Sequence, residues 1–166
     1  MSVIDEVLEA NQEYAKGFKL GHLTIPPVRK LAIIACMDAR LTVEELLGLK
    51  TGDAHIIRNA GGVVTEDALR SLIISHHLLG THEFMIINHT DCGMLTFKDE
   101  ELREKLEQVS ETAVVSPNHF YTFNDLERNV RRQVQKVKSH PWIPKRIPVR
   151  GFIYDVKTGR LGEVQA

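Results

Sequence analysis

Six consecutive apolar residues, Leu31-Ala32-Ile33-Ile34-Ala35-Cys36, stand without a polar interruption, and that run predicts a strand buried on both faces, as in a parallel sheet. Ala54–Arg58, Glu83–Asn88 and Val149–Tyr154 read as further strands. Leu161–Val164 reads as a short hairpin arm beyond the turn signal Thr158-Gly159. Helical spacing fills the gaps between them. Thr42-Val43-Glu44-Glu45 has the pattern of a capping box and opens a helix to about Leu47, where Gly48 stops it. Thr65 is the expected N-cap of a helix over Glu66–Leu79, closed by Gly80, with Leu69, Leu72, Ile73, His76 and Leu79 on or near one face. Two more helices are expected over Glu100–Val109 and Asp125–Lys138. The stretch Ser110–Tyr121, with Pro117 and Asn118, reads as a loop, and Pro141, Pro144 and Pro148 break the chain before the fourth strand.

The first helix is different. From Val3 to about Phe18 it carries a thin apolar stripe of Val3, Ile4, Val7, Leu8, Tyr14 and Ala15. Gly17, Gly21 and Pro26-Pro27 then set it apart. Residues 1–28 are therefore expected to form a helical arm and linker that packs on something other than its neighbours in sequence. Strands alternating with helices give the fold class: α/β, with a mainly parallel β-sheet flanked by helices and an N-terminal helical arm.

Composition narrows the function. The chain has 166 residues, 43% apolar and 26% charged, which suits one domain over 1–166 and excludes a disordered or fibrous protein. Lys and Arg number 21 against 22 Asp and Glu, for a net charge of −1, so there is no basic excess for nucleic acid. The apolar runs fall well short of the ~20 residues of a membrane span. The N-terminus lacks the basic and apolar regions of a secretory signal, and a cytoplasmic location is expected. The chain has two cysteines, too few for a disulfide framework.

Both cysteines fall where a parallel sheet places its sites, just past the carboxyl ends of strands. The three strand ends read Cys36-Met37-Asp38-Ala39-Arg40, Arg58-Asn59-Ala60-Gly61-Gly62 and His89-Thr90-Asp91-Cys92-Gly93. Two thiolates and an imidazole suit Zn²⁺. Spacing alone leaves this open against two buried, inert thiols. Asp38 and Arg40 read either as an ordinary loop salt bridge or as a carboxylate beside a metal, kept ionised and off the ion by the arginine. Gly61 and Gly62 make a tight turn and allow backbone to approach a small ligand. Val63 and Val64 are candidates for an apolar pocket wall, or simply core. His55, His76, His77 and His82 are scattered, and none is assigned a proton-shuttle role.

These three blocks together resemble the signature of the β-class carbonic anhydrases, in order, spacing and strand-end placement, and the resemblance extends over most of the chain. It implies one Zn²⁺ per chain on Cys36, His89 and Cys92. It implies Asp38 paired with Arg40 in an active state and ligating the metal in a resting one. It further implies reversible hydration of carbon dioxide, a mainly parallel sheet, and a homodimer or higher homo-oligomer over which the N-terminal helix reaches. Many members have Ser where Met37 and Ala39 stand. Thr24-Ile25-Pro26-Pro27-Val28 lacks the Gln that plant-type members place there. Carbonyl sulfide or carbon disulfide hydrolysis on the same scaffold, and a non-catalytic zinc-binding module, are the alternatives. A thiol redox protein is disfavoured because no Cys-x-x-Cys is present.

Overall fold

The computed structural model describes residues 2–110, 116–117 and 119–166. Five strands, β1 (Leu31–Cys36), β2 (Ala54–Asn59), β3 (Glu83–His89), β4 (Val149–Tyr154) and β5 (Leu161–Val164), form one sheet in the order β2-β1-β3-β4-β5. The first four are parallel and β5 returns antiparallel along β4. The expected α/β architecture is therefore present, and the hairpin arm is its fifth strand. β1 is central, and five of its six residues are buried, as its unbroken apolar run requires. β2, at the edge, is mostly half-buried.

Helices α3 (Glu66–His77) and α5 (Leu126–Ser139) cover one face over the main core. Val130, Val134 and Val137 of α5 are fully buried there. They come so close to β4 that a Cβ on Gly151 would lie 2.4 Å from Val130 Cγ1, so the helix docks only because that strand position has no side chain. Thr65 and Asp125 cap α3 and α5 by accepting from the amides of Ala68 and Arg128. α3 stops at His77, before Leu79. The short α2 (Val43–Leu47) lies on the other face, where Val43 joins Ile33, Ala35, Ile87 and Phe152. Thr42 precedes α2, but the capping box does not form. Its hydroxyl donates to Glu45 Oε2 at 2.9 Å and accepts from no helix amide, because Thr42 sits at φ −91° and ψ 88°, away from the extended geometry of a cap.

α4 (Asp99–Ser110) includes Ser110, which the sequence assigns to the following loop; of that loop, residues 111–115 and 118 lie outside the described residues. Asp99 accepts from the amides of Phe120, Tyr121 and Thr122 at 2.9, 3.2 and 3.0 Å and from the Thr122 hydroxyl at 2.8 Å. Partial burial works against its charge, but these donors prevail and bring its pKa down to about 2. α1 (Val3–Lys16) has its capping box, between Ser2 and Asp5, and none of its residues is buried. No helix among the described residues is long and apolar enough to cross a membrane.

Candidate metal centre

The strand order explains why Cys36 and His89 meet. β1 and β3 are neighbours, yet the chain leaves β1 toward β2 on one side and leaves β3 toward β4 on the other. The loops diverge and open a crevice at the carboxyl ends of the two strands, the usual place for a site in such a sheet. A short turn after β3 returns Cys92 to the same point. The Sγ atoms of Cys36 and Cys92 are 4.0 Å apart, and the three ligand atoms of Cys36, His89 and Cys92 all lie within 4.8 Å of one another. Two sulfurs on one tetrahedral Zn²⁺ would be separated by about 3.8 Å, given Zn–S bonds of about 2.3 Å. All three residues are buried.

The imidazole is set for a ligand. His89 Nδ1 lies 2.9 Å from the Thr90 carbonyl, which can only accept, so Nδ1 carries the proton and Nε2 holds the free lone pair. Nε2 is buried and has no hydrogen-bond partner among the described residues. Such an orphan beside two thiols is costly unless an ion is its partner. The donor set therefore fits Zn²⁺, and the sequence-derived ligands Cys36, His89 and Cys92 are the residues the fold brings together.

The thiols titrate as a pair. The hydrogen bond from Cys92 favours Cys36 as thiolate. Burial opposes that charge, and the backbone N–H groups of Asp38 and Gly61 favour it. The same bond, with burial, pushes Cys92 up. A metal entering here would displace the remaining proton.

Asp38 stands at the rim, with Oδ2 3.7 Å from His89 Nε2. Arg40 grips both its oxygens, Nε to Oδ1 at 3.0 Å and Nη2 to Oδ2 at 2.8 Å, and the Arg40 amide adds a third bond at 2.9 Å. The guanidinium holds the Asp38 carboxyl well below the usual carboxylate range. Gly61 and Gly62 are buried beside the cluster. At Gly62, with φ +59°, a Cβ would lie 2.8 Å from Ile87 O and 2.9 Å from Cys36 N, so this loop's backbone rests directly on the ends of β1 and β3. Val63 is 3% exposed and Val64, at 0%, is part of the main core.

Three residues around the site were not singled out from sequence. Arg58 donates to the carbonyls of Cys36 and Asp38 at 2.9 and 2.6 Å, tying down the loop after β1. Asp91, at φ +55°, receives Arg40 on its carboxylate at 2.8 Å and on its carbonyl at 2.9 Å, so Arg40 joins the two ligand loops. Asn88 is buried next to His89. An uncharged polar residue directly after the apolar run Phe84–Ile87, still within β3, was the available signal for Asn88. Arg58 and Asp91 lay inside quoted motifs, with no pattern to name their partners.

Comparison with known proteins agrees with this geometry. The carbonic anhydrase family profile matches residues 31–161. The chain is 46% identical over 164 residues to β-carbonic anhydrase 1 of Mycobacterium tuberculosis, covering 99% of each protein. It superposes on the crystal structure of carbonic anhydrase from Streptococcus mutans with a TM-score of 0.92 and 45% identity, covering 99% of both chains. It is also 35% identical to a carbon disulfide hydrolase of Acidithiobacillus thiooxidans over 176 residues, covering 95% of this chain and 87% of that one. A buried Cys-His-Cys cluster at the switch point of this sheet, a profile match over its four parallel strands and close relatives over nearly the full length carry one conclusion: the chain belongs to the β-carbonic anhydrase family.

Proposed function

We propose that the chain catalyses the reversible hydration of carbon dioxide to bicarbonate and a proton, with one Zn²⁺ held by Cys36, His89 and Cys92. The observation that carries this reading is the partnerless, buried Nε2 of His89 between two thiols, with an ionised Asp38 held at its rim by Arg40. Zinc supplies a Lewis acid that makes hydroxide available from water near neutral pH. Asp38 accepts a hydrogen bond from the attacking oxygen and fixes which lone pair faces the carbon. Arg40 keeps Asp38 charged and holds both its oxygens; released from that grip, Asp38 would be free to serve as a further ligand to the ion. Carbon dioxide has no net dipole, and the Gly61–Gly62–Val63 turn offers it an apolar wall; Val64, the other sequence candidate, is buried in the main core instead. The released proton passes to buffer.

Metal analysis with stopped-flow hydration tests the reading. One zinc per chain and rapid carbon dioxide turnover are expected, and a zinc-loaded protein without turnover overturns it. Hydrolysis of carbon disulfide or carbonyl sulfide is the second reading, supported by the carbon disulfide hydrolase relative. Side-by-side rates on the three substrates decide between them. The grip of Arg40 on Asp38 speaks against a purely structural zinc module, which has no use for that arginine. We further propose a cytoplasmic homodimer in which residues 1–28 of each chain pack on the other; the exposed stripe of α1 supports the arm's role.

A further inference from the structure

Asn88, Asn129 and Gln133 are 1%, 2% and 2% exposed, and their amides interlock between β3, α5 and the loop over the metal cluster. Asn88 Nδ2 donates to the carbonyls of Gly61 and Gly62 at 3.0 and 3.1 Å. Its Oδ1 accepts from Asn129 Nδ2 at 2.8 Å, which fixes which way the Asn88 amide faces. Asn129 Oδ1 accepts from Gln133 Nε2 at 2.8 Å and from Arg132 at 2.9 Å. Gln133 Oε1 accepts from the Val64 amide at 3.0 Å, and Lys136 Nζ donates to the Val64 carbonyl. Three carbonyls and one amide of residues 61–64 are thus held from one side. From the other side Gly62 rests on the end of β1, where a Cβ would lie 2.9 Å from Cys36 N. Apolar residues could fill the same volume, but they would fix no amide orientation, and a partly satisfied network is worse than none. A closed one gives this loop a single position.

We infer that Asn88, oriented by Asn129, is a positioning residue that sets the Gly61–Val64 loop between Cys36 and the incoming substrate. The inference rests on the carbon dioxide reading for its kinetic test only. In Asn88→Ala the loop loses both carbonyl anchors. The KM for carbon dioxide rises about tenfold or more, kcat stays within about threefold, and one zinc per chain remains, because the three ligands sit on or beside β1 and β3. Asn129→Ala leaves the Asn88 donors but frees their orientation, and KM rises about three- to fivefold. The double variant is no worse than Asn88→Ala alone, since the two residues act as a unit. A second readout needs no turnover. In the cobalt-substituted protein the thiolate-to-cobalt charge-transfer band shifts in Asn88→Ala, as the loop that rests on the backbone of Cys36 moves.

Folded variants with wild-type KM and an unshifted band overturn the inference, as does a loss confined to kcat, an additive double variant, or failure of both single variants to fold. A wild-type protein without carbon dioxide turnover would break the proposed function instead. The cobalt band would then still decide the role of Asn88.

Discussion

Val63 and Val64 are 3% and 0% exposed, whereas Val7 and Leu8 of α1 are 58% and 55% exposed. These are the same kinds of residue, the first pair in a loop and the second on a helix. The loop valines are covered because β1, β3 and α5 converge on them within one chain. No α1 residue is buried against the described residues of its own chain. The Cys-His-Cys cluster, the oriented imidazole and the clamped carboxylate are all brought together by packing within one chain. The apolar stripe of the arm is instead presented outward.

Breaking the metal centre has the largest expected effect. Cys36→Ser replaces a soft thiolate with an alcohol. Zinc content should fall from one per chain to near zero, and hydration by at least about a thousandfold, read by elemental analysis and stopped-flow assay. Next comes the clamp. Arg40→Ala should keep zinc while hydration falls about a hundredfold, since the lost group orients an acceptor aimed at the transition state. Wild-type hydration in that variant would defeat the switch assigned to Asp38. The arm then provides the contrast. Leu8→Asp should leave zinc content unchanged and weaken self-association by about thirtyfold in sedimentation velocity, the loss of roughly 2 kcal/mol of apolar burial. An unchanged association constant would remove α1 from the interface.

The smallest effect lies away from both regions. Asp99 holds the amides of Phe120–Thr122 with a pKa lowered to about 2 from 3.8. A carboxylate depressed in the folded state stabilises above its unfolded pKa, and that stability is lost as pH falls through the folded value. Asp99→Asn should therefore lower stability by about 1–2 kcal/mol at neutral pH, and the gap to wild type should narrow between about pH 4 and pH 2 in denaturant titrations.

Hydrophobic patterning specified the four parallel strands, because an unbroken apolar run such as Leu31–Cys36 suits a sheet covered on both faces, and the Thr158-Gly159 turn signal gave the fifth. Residue types at three strand ends pointed to metal-ligand chemistry, which spacing alone left open and the family resemblance then favoured. Thr42 shows where local pattern failed: its hydroxyl turned to Glu45, and a capping motif says nothing about the backbone angles its surroundings impose. The partners of Asn88, Arg58 and Asp91 were also beyond the sequence. Asn88 and Asn129 are 41 residues apart and Arg40 and Asp91 are 51 apart. Periodicity reports which face a side chain takes on its own element. Which distant side chain it meets there depends on strand order and helix docking, and only the tertiary structure decided that.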